Sequence, residues 1–215
     1  MTQPLTSDAC GRALGVSRET LSRLETYAAL LRSWNAHINL VSVDSLGDVW
    51  RRHILDSGQL FRHLPAGASS LVDLGSGAGL PGLVLAILGA PGVHLVESDQ
   101  RKAAFLREAA RVTGTAVKIH ATRSDSVAAF PASVITARAL APLPKLLEMA
   151  MPFVGPGSVC LFLKGGDVGD ELTAAQTKWI MKPQVMVSES DPTGHILRLE
   201  ELQHAPRPSA GPLRP

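Results

Sequence analysis

The chain has 215 residues, 45% of them hydrophobic, which suits one α/β domain with a small extension. A net charge of +2 and an aromatic content of 4% give no whole-molecule signal for nucleic acid and argue against holding RNA by stacking many bases. Two distant cysteines, Cys10 and Cys160, exclude a disulfide framework and any metal-ligand spacing. No signal-peptide pattern opens the chain and no apolar run reaches membrane-spanning length, so the expected location is cytoplasmic.

Residues 1–65 read as a helical extension. Leu21, Leu24, Ala28 and Leu31 recur at helical spacing, Tyr27, Leu30 and Trp34 widen the stripe, and Ser17 is placed to cap the helix. Ser45-Leu46-Gly47-Asp48 matches a capping box that would open another short helix. After the break at Leu64-Pro65-Ala66-Gly67-Ala68, apolar runs alternate with helical patterns. Strands are expected at 70–74, 93–97, 116–120, 133–138, 157–163, 183–188 and 195–202, and helices at about 81–89, 99–113, 142–152 and 168–180. This alternation predicts a Rossmann-like domain over 66–204, a seven-stranded, mostly parallel sheet covered on both faces. No helix separates the last two strands, and Asp191-Pro192-Thr193-Gly194 is turn chemistry, so the sheet should end in an antiparallel hairpin. Residues 205–215, rich in Pro, read as a disordered tail.

The densest information lies in Leu71-Val72-Asp73-Leu74-Gly75-Ser76-Gly77-Ala78-Gly79-Leu80-Pro81-Gly82, where a strand runs into four glycines and then a helix. Side chains vanish where backbone must approach a ligand, and a helix N-terminus follows. The last six residues formally match the dinucleotide pattern G-x-G-x-x-G, a weak signal alone. Asp73 sits where it would repel a pyrophosphate but attract the ammonium of a sulfonium cofactor, so S-adenosylmethionine fits better than NAD. A bare turn would gain nothing from the entropy cost of so many glycines.

The ends of the following strands supply further candidates. Glu97 closes the second strand and is placed to accept ribose hydroxyls, with Asp99 able to share that role. Ser124 and Asp125 follow the third strand and suit the adenine edge, unless Ser124 only caps a short helix. Arg138, at the end of the fourth strand, reads equally as a site residue or as a structural ion pair with Asp73 as its candidate partner. Lys164, at the end of the fifth, reads equally as a phosphate contact or as a solvated side chain.

Four pieces carry a specific resemblance: Trp34-Asn35 with Asn39-Leu40-Val41-Ser42, Arg52-His53-Ile54-Leu55-Asp56-Ser57, the glycine loop, and Arg138-Ala139 with Leu163-Lys164-Gly165. In these the chain resembles the RsmG (GidB) family of 16S ribosomal RNA guanine-N7 methyltransferases, from about Ser17 to Leu202. The resemblance implies a class I methyltransferase fold with S-adenosyl-L-methionine as cofactor. It implies methyl transfer to N7 of a guanine in 16S ribosomal RNA (the one at position 527 of that RNA), presented as free RNA or as a small-subunit assembly intermediate. It implies cofactor contacts at Gly75, Leu80, Ser124, Asp125 and Arg138, beside Asp73, Gly77, Gly79 and Glu97. Ser-Asp at 124–125 departs from the family's usual aliphatic-Glu pair, giving a shorter carboxylate on the side of the adenine amine. Arg52, His53, Arg123 and Lys164 are candidate RNA contacts, while Asn35, Asn39 and Asp56 are given structural roles, Asp56 as a helical partner of Arg52. A monomer acting by in-line transfer needs no catalytic base and no metal, with Arg138 as a positioner. Two alternatives remain: a small-molecule methyltransferase of the same fold, and a non-catalytic RNA-binding assembly factor.

Overall fold

The computed structural model describes residues 3–166 and 168–206. Seven strands form one sheet in the order β3-β2-β1-β4-β5-β7-β6. They are β1 (Leu71–Leu74), β2 (Val93–Val96), β3 (Lys118–His120), β4 (Val134–Arg138), β5 (Val159–Gly165), β6 (Trp179–Val187) and β7 (Gly194–His204). The first five run parallel; β7 is antiparallel to β5 and β6 antiparallel to β7, as the turn at 191–194 requires. All four residues of the central β1 are buried, the pattern of a strand covered on both faces.

The N-terminal segment is helical as its periodicity predicts: α1 (Ser7–Leu14), α2 (Arg18–Asn35) and α3 (Val43–Leu46). Ser17 caps α2, its hydroxyl accepting from Thr20 N. A π-helical turn, Trp50–Leu55, then leads into the single turn α4 (Asp56–Gly58) and a 3-10 turn, Gln59–His63. The expected capping box at Ser45 is not formed. The helix starts two residues earlier, at Val43, and the buried Ser45 hydroxyl is taken by Ser42 O and His53 Nε2. Asp48 bonds Leu5 N and Arg51 instead.

This helical layer shares one apolar cluster with α5 (Gly82–Ile87) and α6 (Gln100–Val112) on one face of the sheet. Phe105 lies fully buried between Tyr27 and Trp34, with ring centroids 6.3 and 5.6 Å away. Two polar ties fix the layer: Tyr27 Oη donates to Ala78 O in the glycine loop (2.6 Å), and Arg23 Nε donates to Thr113 O (2.8 Å). On the other face, α7 (Leu143–Ala150) and α8 (Val168–Gln176) cover a second cluster around Phe153 and Phe162.

Helix α8 stops at Gln176, short of the predicted 180, and β6 begins at Trp179 rather than 183. The reason is tertiary: Trp179 is buried and stacks on His204 at 4.0 Å, which extends the antiparallel pairing to that end. Pro183 is tolerated inside β6 because an edge strand leaves one side unpaired. The register slips between Ile180 and Lys182, opposite the point where Glu201 takes φ 55. Ala205 still bonds Lys178 O, so the ordered chain passes the predicted start of the tail; the rest of the expected disordered segment, from 207, lies outside the described residues.

Candidate active site

The glycine loop leaves β1 at Leu74 and reaches α5 at Gly82. Gly75, Gly77 and Gly79 have φ of 63, 55 and 85°, a left-handed zigzag that side chains resist. Two of the three are also closely packed. A Cβ on Gly75 would stand 2.4 Å from Leu140 Cδ1, and one on Gly79 2.7 Å from Leu83 Cβ. At Gly77 nothing lies nearer than Gly75 O at 3.8 Å, so the missing side chain there leaves open space above the backbone. Leu80 is buried in the apolar cluster, and its N–H closes the turn on Ser76 O. Glu97, at the end of β2, accepts from Gly77 N (2.8 Å) and Asp99 N (2.7 Å), which sets its carboxylate against the loop as expected. A bare backbone facing open space, with a carboxylate beside it and, among the described residues, no basic side chain bonded to the loop, fits a sulfonium nucleoside better than a pyrophosphate.

Asp73 does not face that space. It is completely buried; Thr136 Oγ1 donates to one oxygen (2.7 Å), while Oδ2 has no hydrogen-bond partner of normal geometry. Burial pushes its carboxyl up to about 6, against the lowering effect of Thr136, Ser76 and the Gly82 N–H. Direct attraction of a cofactor ammonium is therefore corrected to a supporting role: Asp73 braces β4 and the start of α5, where Gly82 leaves no room for a Cβ (2.5 Å from Asp73 Cβ).

Ser124 and Asp125 form a 3-10 turn after β3. Asp125 is exposed and accepts from both Nε and Nη2 of Arg123 (3.2 and 3.1 Å). Arg123, expected as an RNA contact, thus stands at the β3 end in a surface ion pair, outside the cleft that gathers the other RNA candidates.

That cleft, of about 920 Å3, opens at the carboxyl ends of β4 and β5 and is walled by the π-helical turn and the β6–β7 turn. Arg52, His53, Asp56, Arg138, Lys164 and Glu171 all line it. Nη1 of Arg138 is bound three ways by one short segment: to Arg52 O (3.1 Å), His53 Nδ1 (3.1 Å) and Asp56 Oδ2 (3.3 Å). The π register contributes, since Asp56 N–H bonds Arg51 O, five residues back, and Arg52 O takes the guanidinium. Among the described residues, Arg138 Nε and Nη2 make no hydrogen bond. The expected pairing of Asp56 with Arg52 is replaced by this one, and Arg138 pairs with Asp56 rather than Asp73. Just beyond Arg138, Ala139 takes φ 48, and the bend lays Leu140 against Gly75, joining cleft to cofactor loop.

His53 is buried, with both ring nitrogens engaged, which removes it from the RNA contacts. An arginine cannot accept, so Nδ1 must, and the proton sits on Nε2, donated to Ser45 Oγ. Burial, then Arg138 and Arg52, push its pKa down to about 3. The unfolded histidine binds a proton near pH 6.5 while the folded one stays neutral, so its contribution to stability is present above 6.5 and lost as pH falls toward 3. Asp73, raised to about 6, acts with the opposite sign below that pH. His53→Gln is expected to flatten the loss of stability between pH 7 and 5, by up to about 1.4 kcal/mol per pH unit. Urea titrations at several pH values read this directly, and equal slopes in the two proteins would remove His53 as the cause.

Lys164 is not a free cation. Its ammonium pairs with Glu171 at 2.7 Å and donates to Ala141 O at 3.1 Å, and Glu171 also accepts from Leu143 N. It ties β5 to α8 and to the 139–142 loop. Arg52 alone of the RNA candidates in the cleft is exposed, with no side-chain hydrogen bond among the described residues. The thiols of Cys10 and Cys160 are buried and pushed up to about 12, so neither is a nucleophile. Among the described residues, no group of three or more His, Cys, Asp or Glu could hold a metal ion, and no helix is long and apolar enough to cross a membrane.

A family model described as rRNA small subunit methyltransferase G matches residues 20–196. A ribosomal RNA small subunit methyltransferase G of Rhodospirillum centenum is 58% identical over 91% of this chain and 89% of its own length. One of Rhodospirillum rubrum is 54% identical over 94% of this chain and its whole length. Among solved structures, a magnesium protoporphyrin IX methyltransferase of Synechocystis matches with TM-score 0.58 and 9% identity, covering 86% of this chain and 97% of its own. A SAM-dependent methyltransferase of Aquifex aeolicus matches with TM-score 0.57 and 15% identity, covering 75% and 98%. At these identities the solved structures establish the fold, of the Rossmann-like class I type.

Proposed function

Because the chain belongs to the rRNA small subunit methyltransferase G family, and is thereby an S-adenosylmethionine-dependent ribosomal RNA methyltransferase, we propose that its target is N7 of a guanine in 16S ribosomal RNA. The single observation that carries the guanine reading is the open cleft beside the cofactor loop: among the described residues that line it there is no cysteine, and His53, Arg138 and Lys164 are each engaged by neighbouring protein groups. Guanine N7 keeps a lone pair at neutral pH and needs no base to attack. Bound S-adenosylmethionine supplies an electrophilic methyl on a sulfonium centre.

The protein's part is placement and exclusion of water. The backbone of Gly75, Gly77, Gly79 and Leu80 holds the amino-acid end and Glu97 accepts the ribose hydroxyls, in exchange for the Gly77 N–H it bonds here. The 124–125 backbone meets the adenine edge. The Nε and Nη2 edge of Arg138 takes the cofactor carboxylate, a two-pronged match. Arg52 meets RNA phosphate at the rim. The target base must leave any A-form stack to bring N7 into the cleft, since that atom lies in a groove too deep for side chains. The protein acts as a soluble monomer in the cytoplasm.

Incubation with methyl-labelled cofactor and small subunits or 16S RNA from a strain lacking the protein should label one guanine. Label on a small molecule alone, or none at all, would sink the proposal in favour of the two other readings.

A further inference from the structure

Arg138 is fixed on one side only, and what fixes it extends well beyond its immediate neighbours. Of the three acceptors on Nη1, two are neutral; Asp56 is the charged one. The second oxygen of Asp56 accepts from Ser190 Oγ (2.6 Å) and Gln59 Nε2 (3.3 Å). Gln59 is 1% exposed and is itself committed at both ends to the β6–β7 turn. Its Nε2 donates to Ser188 Oγ (2.8 Å) and its Oε1 accepts from Glu189 N (2.8 Å). Ser188 and Ser190 share a further bond at 2.8 Å. Gln59 and Ser190, more than 130 positions apart, thus converge on one carboxylate, and that carboxylate on one guanidinium.

We propose that Asp56, clamped by Ser190 and Gln59, is the residue that positions Arg138 toward the cofactor, which makes the β6–β7 turn part of the positioning machinery. This rests on the reading of Arg138 as a cofactor contact. Two physical points favour it over a fold-holding ion pair. A part-buried ion pair is a poor source of stability, because desolvation offsets its attraction. It is, however, a good source of direction: with Nη1 bound to three acceptors, the guanidinium plane cannot rotate and its other edge is presented in one orientation. Asp56 also cancels the charge of Arg138 beside a base that turns cationic as it is methylated, where a bare guanidinium would oppose transfer.

Calorimetric titration with S-adenosylhomocysteine tests this in a set of variants. Arg138→Met should weaken binding by at least ~10-fold, Asp56→Asn by about 10-fold and Ser190→Ala by about 3-fold. Asparagine keeps the shape of Asp56, and Ser190→Ala removes one hydroxyl, so melting temperatures should stay within a few degrees of the parent. In the Arg138→Met background, neither Asp56→Asn nor Ser190→Ala should weaken binding further, since residues that act through Arg138 have nothing left to act on. Equal losses in both backgrounds, or no loss from Asp56→Asn and Ser190→Ala while Arg138→Met does bind weakly, would overturn the positioning role and leave the cofactor contact standing. Unchanged binding by Arg138→Met would remove the cofactor contact itself, and the positioning role with it.

Discussion

Gly77→Val is expected to abolish cofactor binding in a protein that still folds. The two effects separate because of where this glycine sits. The nearest protein atom to a new Cβ is Gly75 O at 3.8 Å, so valine meets no wall. Its cost is conformational: φ is 55°, and a β-branched residue held there loses about 1–2 kcal/mol, or roughly 2–8 °C in melting temperature for a chain of this size. The two methyl groups, however, occupy the space above the loop that a ligand needs. Affinity for S-adenosylhomocysteine should fall by about 100-fold or more, below detection in most titrations. Gly79→Val makes the useful contrast, since its Cβ would collide with Leu83 Cβ at 2.7 Å and damage fold and binding together. Unaltered titration of Gly77→Val would mean that the cofactor lies elsewhere.

Phe105→Ala is expected to give the largest loss of stability from a single side chain. Phe105 is wholly buried in α6, and its ring is the surface on which Tyr27 and Trp34 of α2 pack. Truncation leaves a cavity between two layers whose backbones are held apart by other contacts, so collapse is limited. A loss of about 3–5 kcal/mol follows, visible as a fall in melting temperature of ~10 °C and a changed environment for Trp34. Urea denaturation followed by circular dichroism and tryptophan fluorescence measures both. A loss below ~1 kcal/mol would show that the helical layer is only loosely seated on the sheet.

Much of the fold is written locally. Alternating apolar runs and the turn residues Asp191-Pro192-Thr193-Gly194 lead directly to the strand order's antiparallel end, and the loop glycines to the bend after β1. Glu97 was legible for the same reason: a strand end of this fold has a known neighbour. The arrangement around Arg138 was not. Asp56 lies 82 residues from it, and the spacing of Asp56 from Arg52 suggested a nearer partner that the π-helical turn does not bring into contact. Lys164 and Glu171 belong to a strand and a helix whose relative rotation no periodicity records. His53 carried the signs of a surface base, and only tertiary burial turns it into a neutral acceptor. Gln59 gave no signal at all; a polar residue in a helical stripe is marked as structural only once its partners at 188 and 189 are seen.

The ties between the helical layer and the rest of the chain also bear on how the protein is made. The apolar stripe of α2 leaves the ribosome before α5 and α6, yet Arg23 closes on Thr113, 90 residues later. At ordinary elongation rates of 5–20 residues per second, that partner follows after roughly 5–18 s. For most of that interval Leu24, Tyr27, Ala28 and Leu31 have no α5 to lie against, and α6 is complete only at its end. Each nascent chain therefore passes through a stage in which this apolar stripe stands uncovered, and chaperone demand should concentrate on the interval before α6 emerges.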